Sequence, residues 1–523
     1  MKILYYICLI AAALIPSKHA LHMFQQNRYE VKRYITWIED NIEGGAKRAM
    51  IPTVVILAVA FACIHLETGA ILLICTFIAA ALAIILFLRE KKQEYVKPLV
   101  YTGRVKRQIV VLAILYLVIQ LILLHAYRRL NLWLMLAISY FGPWLLVFPM
   151  AWLTMPVENA VKQWYINDAR KKLESCTSLT KIGITGSYGK TSTKNVIQNV
   201  LSVRYNSLMT PASFNTPMGI TITIRNDLKP IHQVFVCEMG ADHVGDITEL
   251  MNFVHPRIGI VTSIGPQHLS TFGSQENITR EKMQEIELLP KDGLGILNYD
   301  NDFIRNYKIQ NPVKLVTCAI HHEADYMAKD IHYETGRTHF TLVHGEEQVS
   351  FETKLLGELN ILNILFAIAC ARSLNVPWNL IQRAVKEMKQ VEHRLEMKEY
   401  NGRHFLDDAF NANPSGAAMA LEVLSEMPGR RFIITPGMIE LGKEQDRINR
   451  EFGAKMKDHA DEVILVGAVQ TAPIKEGLEL SGFDMEHVHV FDTEREALNF
   501  VYQNAGRNDV TLLENDLPDA FNH

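Results

Sequence analysis

A short segment of the chain combines residue types that could bind a nucleoside triphosphate. The run Lys181–Ile184 is typical of a strand, Thr185-Gly-Ser-Tyr-Gly-Lys-Thr-Ser192 follows it, and 193–203 has a helical pattern. Glycines let backbone N–H groups approach phosphates, and a helix N-terminus favours anions. A lysine here reaches the β- and γ-phosphate oxygens, and the next hydroxyl binds Mg²⁺. The predicted phosphate-binding residues are Gly186, Ser187, Gly189, Lys190, Thr191 and Ser192, although strict Walker spacing would have glycine in place of Ile184.

An acidic residue follows the next predicted strand. Gln233–Cys237 is apolar and ends in Glu238. Ligands of parallel sheets gather at the carboxyl ends of the strands, and Mg²⁺ prefers oxygen ligands. Glu238 is therefore predicted to bind Mg²⁺ together with Thr191.

These motifs resemble those of the Mur ligase family, and the resemblance runs in order from about residue 181 to about residue 470. It is closest to the MurF type, which joins D-alanyl-D-alanine to a UDP-N-acetylmuramoyl-tripeptide. Further matching segments are Glu238–Asp246, Gly265–Gly273, Ile278–Ile286, Gly357–Asn363, Phe405–Pro414 and Pro436–Gly442.

The resemblance implies roles for residues that the pattern alone would leave unassigned. It implies that His268 binds a second Mg²⁺ and that Lys282 is a catalytic, carbamylated lysine that also binds metal. Arg394, a hinge residue, would meet the γ-phosphate, and Asp408 would contact the nucleotide. Asn360 and Asn363 share one helix face, which suits hydrogen bonding to adenine. The implied substrate-binding residues are Asn215, Thr216, Asn411 and Asn413.

Both ends of the chain depart from the family pattern. An apolar region occupies the place of the domain that holds the UDP-sugar in MurF-type enzymes. Near the C-terminus, Leu512-Leu-Glu-Asn-Asp516 replaces the family's Val-Lys-Gly-Ser-Arg. The ends that select substrate are therefore expected to differ, whereas the ATP-binding residues are kept.

Composition divides the chain of 523 residues into an apolar and a soluble part. Stretches long enough to cross a bilayer are predicted at about 50–66, 69–88, 108–126 and 131–153, and a shorter one at Leu4–Pro16 is either a fifth span or a cleaved signal. The basic loops predict a multi-pass protein of the plasma membrane with cytoplasmic catalytic domains. The spans are interpreted as an anchor, and a groove for a lipid substrate is the alternative. The net charge of −3 argues against nucleic acid as a partner, and seven scattered cysteines indicate reduced thiols.

The predicted fold is α/β behind a helical membrane region. We expect a transmembrane region at 1–155, an amphipathic linker at 156–180, a P-loop central domain with a mostly parallel sheet at 181–391, and a Rossmann-like C-terminal domain at 392–523.

The predicted activity is that of a membrane-anchored, ADP-forming ligase that uses ATP and two Mg²⁺ ions. It would join a peptide-bearing cell-wall precursor to an amino acid or dipeptide amine through an acyl phosphate. Two alternatives remain open: a ligase for a lipid-linked precursor or a poly-amino-acid chain, and an ATP-driven transporter. No acidic residue lies at the centre of a predicted span, which argues against the transporter.

Overall fold

The computed structural model describes residues 1–41, 47–63, 65–92, 98–126, 130–267, 269–334, 336–389, 395–400, 402–409, 414–438, 441 and 444–515. They fold as two compact units, Met1–Trp164 and Tyr165–His523. His268, Arg394, Asn411 and Asn413 lie outside the described residues.

The first unit is helical. Its helices are α1 (Lys2–Gln26), α2 (Val31–Asn41), α3 (Lys47–Ala62), α4 (Thr68–Glu90), α5 (Gly103–Ala126) and most of α6 (Leu130–Ser175), whose last eleven residues belong to the second unit. By length and composition, four helical segments among the described residues could cross a membrane: Lys2–Gln26, Thr68–Glu90, Gly103–Leu124 and Asn131–Ser175. The predicted span at 50–66 corresponds to the shorter α3, and the apolar run Leu4–Pro16 is part of the 25-residue α1. Residues 156–175, expected in a linker, form the last part of α6.

Polar contacts connect the helices of the first unit. Arg107 of α5 binds Glu158 of α6 through two hydrogen bonds of 2.7 Å. The Tyr116 hydroxyl lies 2.6 Å from that of Ser139, and both side chains are buried. The Tyr5 hydroxyl donates to the carbonyl of Leu132, so α1 is also attached to α6. Inter-helix hydrogen bonds of this kind fix helix register where the surroundings are apolar.

The second unit begins with a nine-stranded sheet in the order β2-β3-β1-β4-β5-β6-β7-β8-β9. The pairs from β2 to β7 are parallel, and β7, β8 and β9 are antiparallel. The strands are β1 (Thr180–Thr185), β2 (Ser207–Met209), β3 (Val234–Glu238), β4 (Ile258–Val261), β5 (Leu294–Asn298), β6 (Lys314–Ala319), β7 (Tyr326–Glu334), β8 (Arg337–His344) and β9 (Glu347–Thr353). Its helices are α7 (Lys190–Ser202), α8 (Pro217–Asp227), α9 (Asp246–Val254), α10 (Leu269–Phe272), α11 (Gln275–Glu287), α12 (Asp302–Arg305), α13 (Glu358–Ser373) and α14 (Trp378–Glu387). The predicted mostly parallel sheet is thus present, and its central strands are buried because helices cover both faces.

A six-stranded sheet follows, in the order β10-β11-β15-β12-β13-β14. Only the edge pair of β10 and β11 is antiparallel among its described pairs. The strands are β10 (Glu396–Tyr400), β11 (Arg403–Asp408), β12 (Arg431–Thr435), β13 (Glu462–Val466), β14 (Val488–Phe491) and β15 (Val510–Glu514), and the helices are α15 (Pro414–Ser425), α16 (Gln445–Met456), α17 (Ala472–Ser481) and α18 (Glu494–Asn504). This alternation agrees with the predicted α/β fold of the C-terminal part.

All seven cysteines are free. In the second unit Cys237, Cys318 and Cys370 are buried, whereas Cys176 is half-buried. Burial raises the pKa of each of the three buried thiols.

Candidate active site

The predicted phosphate loop connects β1 to α7. Gly186 has a φ of +151°, and a Cβ on it would lie 2.1 Å from the Thr262 hydroxyl, so only glycine fits there. The loop is attached to the segment after β4: the Ser187 N–H donates to the Ser263 carbonyl at 2.6 Å, and the Thr262 hydroxyl donates to the Tyr188 carbonyl at 2.6 Å. Gly189, with a φ of +83°, precedes the first residue of α7. The loop conformation is therefore fixed by the neighbouring strand, and the N-terminus of α7 is directed at it.

Lys190 folds back over this loop. Its Nζ donates to the carbonyls of Gly186 and Ser187 at 2.6 Å and 3.1 Å. Burial lowers the pKa of Lys190, and the negative charges of Glu238 and Asp242 oppose that shift. Carbonyl oxygens are weaker partners for an ammonium group than phosphate oxygens. An incoming phosphate can therefore replace them. Ser192, also predicted to bind phosphate, is half-buried in the first turn of α7.

Glu238 lies at the carboxyl end of β3 and is 1% exposed. The Thr191 hydroxyl is 3.1 Å from its Oε2, and the Asn215 amide donates to its Oε1 at 3.2 Å. Lys194, one turn after Lys190, is also buried, and its Nζ lies 3.0 Å from Oε2. Thr191, Asn215 and Glu238 were predicted from the sequence, and the fold brings them together. Lys194 was missed, because in the sequence it is an ordinary lysine of a polar helix.

Lys282 of α11 is 2% exposed, and its Nζ lies 3.3 Å from the Ala241 carbonyl, just beyond β3. Burial, together with the charge of Lys190, lowers its pKa to about 7. Sequence patterning alone would leave such a helix lysine in solvent, so its burial is information that only the fold supplies.

Glu285 lies one turn after Lys282 and is fully buried. Within the described part of the chain, neither of its carboxylate oxygens has a hydrogen-bond partner. Its Oε1 occupies the space where Gly183 of β1 lacks a side chain, since a Cβ there would lie 2.0 Å away. Burial raises the pKa of Glu285 to about 8, and the charge of Lys282 opposes that shift. This residue was not predicted from the sequence.

The described residues contain no group of three or more His, Cys, Asp and Glu side chains with the geometry of a metal site. The carboxylate of Glu238 and the hydroxyl of Thr191 nevertheless supply the oxygen donors that Mg²⁺ prefers. Because Mg²⁺ is commonly held by one or two protein ligands plus phosphates and water, this donor set fits the ion.

Other predicted site residues make structural contacts. The Asn363 Oδ1 accepts a hydrogen bond of 2.6 Å from Thr193, and the Asn360 amide donates to the Leu356 carbonyl at 2.8 Å. The Thr216 hydroxyl caps α8 by accepting from the Gly219 N–H. The Asp408 Oδ1 accepts from the Leu395 N–H at 3.1 Å.

A pocket of about 480 Å³ lies beside the phosphate loop. Asp300 shapes one wall by accepting hydrogen bonds from the backbone N–H groups of Ile320, His321 and His322. His321 and Glu358 are in contact, with Nε2 and Oε2 2.8 Å apart. The pocket is lined in part by Tyr188, Pro266, Asn301, His321, Glu358 and Leu359. A nucleoside attached to phosphates in the loop would have room here. None of Asp300, His321 and Glu358 was predicted: Asp300 and His321 lie outside the matching segments, and Glu358 lies within Gly357–Asn363 but was given no role.

Two family descriptions match the second unit: "Mur ligase middle domain" over residues 184–371 and "Mur ligase, glutamate ligase domain" over 393–514. The UDP-N-acetylmuramoyl-tripeptide–D-alanyl-D-alanine ligase of Bacillus subtilis is 30% identical over 338 residues, which are 64% of this chain and 72% of that enzyme. The chain belongs to the Mur ligase family. The enzyme of the same name from Escherichia coli is 31% identical to this Mur ligase over 299 residues, 56% of this chain and 66% of that enzyme.

Solved structures give the same result. A crystal structure of MurF from Acinetobacter baumannii has a TM-score of 0.59 at 26% identity and covers 67% of this Mur ligase and 77% of that chain. MurF from Thermotoga maritima, solved in complex with ADP, has a TM-score of 0.61 at 24% identity, with 68% and 80% covered. The predicted family membership and the closeness to the MurF type are confirmed.

Proposed function

We propose that this Mur ligase is a membrane-anchored, ATP-dependent ligase that forms an amide bond in the synthesis of a cell-wall precursor. A carboxylate oxygen of the acid substrate attacks the γ-phosphorus, the bond to ADP breaks, and an acyl phosphate forms. The nitrogen of the amine then attacks the acyl carbon and displaces inorganic phosphate, while the proton of the amine passes to solvent. Its named relatives, which join D-alanyl-D-alanine to a UDP-N-acetylmuramoyl-tripeptide, support this class of substrates.

The observation that carries the proposal is the arrangement of Lys190, Thr191 and Glu238 around one loop. The ammonium of Lys190 lies over the phosphate loop, and the Thr191 hydroxyl faces the Glu238 carboxylate. Thr191 and Glu238 would hold Mg²⁺, which neutralises phosphate charge when bound. Phosphoryl transfer needs little more than positioning and charge stabilisation from the protein. Lys194 and Asn215 keep the buried carboxylate in place.

The carbamylation of Lys282 is part of the same proposal. A carbamate forms when a neutral amine adds to CO₂ and loses a proton, and a lysine with a pKa near 7 is substantially neutral at physiological pH. The product carries a negative charge and can serve as a metal ligand. His268 and Arg394 are proposed, from the family resemblance alone, to bind the second Mg²⁺ and the γ-phosphate.

The roles of Asn360, Asn363 and Asp408 in nucleotide binding, and of Thr216, Asn411 and Asn413 in substrate binding, likewise remain proposals from the resemblance. For Asn363, the contact with Thr193 supports a positioning role, since it ties α13 to the helix that begins at Lys190.

A second candidate keeps the chemistry and changes the substrates: the acid is lipid-linked or polymeric, as in polyglutamate synthesis. The four apolar helical segments favour a substrate at the membrane. Near the C-terminus, Glu514 lies in the segment that replaces a basic motif of the family. It is fully buried, has no hydrogen-bond partner among the residues that the structure describes, and pairs in register with Asp408. Its burial and the charge of Asp408 raise its pKa well above the usual range. An acidic pair there favours an amine substrate different from that of the relatives.

The test is phosphate release by the detergent-purified full chain with ATP and Mg²⁺. Each acid (UDP-N-acetylmuramoyl-tripeptide, a lipid-linked precursor, polyglutamate) is combined with D-alanyl-D-alanine or another amine, and Lys190→Ala serves as the inactive control. Release that requires the UDP-linked acid and D-alanyl-D-alanine supports the first candidate. Release only with a lipid-linked or polymeric acid supports the second. Hydrolysis that needs neither substrate contradicts both and favours a transporter.

A further inference from the structure

An apolar groove runs along α1 and α5 in the first unit. It has a volume of about 260 Å³. Its wall extends from Ile10 to Leu21 of α1, roughly 16 Å at 1.5 Å per residue. Ala113 and Tyr116 of α5 lie on its other side. Because the lining is mostly apolar, water in the groove would find few hydrogen-bond partners.

The segment that precedes α5 forms part of the groove wall. Gln25 holds this segment against α1, because its amide donates to the Val100 carbonyl and accepts from the Val100 N–H, both at 2.9 Å. Leu99 and Tyr101, which flank Val100, therefore become part of the wall. These hydrogen bonds therefore hold part of the groove wall in position.

Apart from Tyr101 and Tyr116, the polar residues of the lining are Ser17 and Lys18, which are adjacent on α1. Lys18 contacts Glu90 at the end of α4, and His19 lies 2.7 Å from the same carboxylate. Basic side chains predominate in the sequence around this carboxylate. The exposed basic residues are Arg89 of α4, Lys91 and Lys92 just after it, and Lys106 of α5. This end of the first unit is thus basic, and it matches an anionic group in charge.

We propose that the groove holds one hydrocarbon chain of an anionic membrane lipid, with the headgroup at the Lys18 end. The apolar wall packs against the hydrocarbon chain of the lipid, which removes that chain from contact with polar groups. The basic side chains attract the anionic headgroup, and their attraction for a zwitterionic headgroup would be weaker. The proposal rests on the proposed membrane placement and is independent of which acid and amine the second unit joins.

Native mass spectrometry of the full chain in detergent tests this proposal. The chain is mixed with phosphatidylglycerol or phosphatidylcholine of identical acyl chains, and lipid retained after collisional activation is counted. We expect one retained phosphatidylglycerol per chain and several-fold less phosphatidylcholine. Ala113→Trp, which fills the groove, should lower retention of phosphatidylglycerol at least tenfold. Val118→Trp, on the opposite side of α5 and outside the lining, is the matched control and should retain lipid as the unaltered chain does.

Lys18→Gln tests the contribution of the headgroup separately from that of the hydrocarbon chain of the lipid. It should lower retention of phosphatidylglycerol several-fold, toward that of phosphatidylcholine, while leaving the latter unchanged. Equal retention of both lipids by the unaltered chain would overturn the headgroup assignment, and full retention by Ala113→Trp would overturn the groove itself. Ligase turnover of each variant is measured in parallel, so a loss of lipid can be distinguished from a failure of the proposed reaction.

Discussion

The Thr191 hydroxyl and the Glu238 carboxylate lie 3.1 Å apart, although 46 residues separate them in the chain. Thr191 is the second residue of α7, which begins at the phosphate loop, and Glu238 ends the strand β3, which is paired with β1. Parallel strand order makes this meeting possible, because it collects strand ends and helix N-termini at one edge of the sheet.

Removal of either group should strongly lower turnover without unfolding the protein. Glu238→Gln keeps the size of the side chain and removes its charge, and Thr191→Val removes the hydroxyl. We expect each to lower kcat on the order of 100-fold or more, since charge stabilisation of the transferring group depends on both. Thr191→Ser keeps the hydroxyl and should retain most activity. Equal activity of the Ser and Val variants would contradict the assigned role.

Lys282→Ala should lose activity and regain part of it when short carboxylic acids are added. The added carboxylate would occupy the place of the carbamate in a buried site that the shorter side chain leaves open. Phosphate release as a function of formate or acetate concentration measures this rescue. Lys190→Ala is the control, because a carboxylate cannot replace its ammonium group. Failure of every short acid to restore activity would remove the carbamate from the proposal.

Glu285→Gln should stabilise the protein at high pH only. A folded-state pKa near 8, against 4.5 ordinarily, means that the folded protein binds an extra proton between these values, so stability falls progressively as pH rises from about 4.5 to about 8. Glutamine has no charge to bury. At pH 8.5 the free energy of unfolding should therefore rise by about 1–3 kcal/mol, and at pH 5 it should be unchanged. Denaturant unfolding at both pH values measures this difference. Glu276→Gln, at an exposed position, is the control and should change the free energy of unfolding equally at the two pH values. An effect of Glu285→Gln that does not depend on pH would be evidence against a buried charge.

Thr193→Val should destabilise the second unit without altering nucleotide selectivity. It leaves the Asn363 Oδ1 buried without its donor, which costs about 1–3 kcal/mol. Thermal unfolding and the ratio of ATP to GTP turnover are the two measurements. A changed ratio at unchanged stability would instead support direct contact between Asn363 and the base.

The full chain should remain in the membrane fraction after washing with alkaline carbonate. Four helical segments have the length and apolar composition of spans, and insertion of even one resists extraction. Immunoblotting of pellet and supernatant measures the distribution. Release into the supernatant would contradict the proposed anchor.

The sequence predicted the parts of the site that depend on local chemistry. Glycines at 186 and 189, the lysine that follows and an acid after a buried strand are recognisable because loop geometry and strand ends demand them. Burial on a helix was not predictable in the same way. Lys194 and Glu285 are buried only because sheet and helix happen to meet there, and no periodicity distinguishes them from exposed residues. Likewise, Asn363 was expected to face a ligand, and its contact with Thr193 depends on how α7 and α13 pack.

The distribution of the cysteines gives the second unit a natural site for chemical labelling. Thiolates react and thiols hardly do, so Cys237, Cys318 and Cys370 are protected by burial and raised pKa. Cys176, the remaining cysteine of that unit, is half-buried and lies just beyond α6. A maleimide fluorophore should therefore attach at one position in the catalytic part, and nucleotide-dependent movement could be followed by its emission without engineering a cysteine.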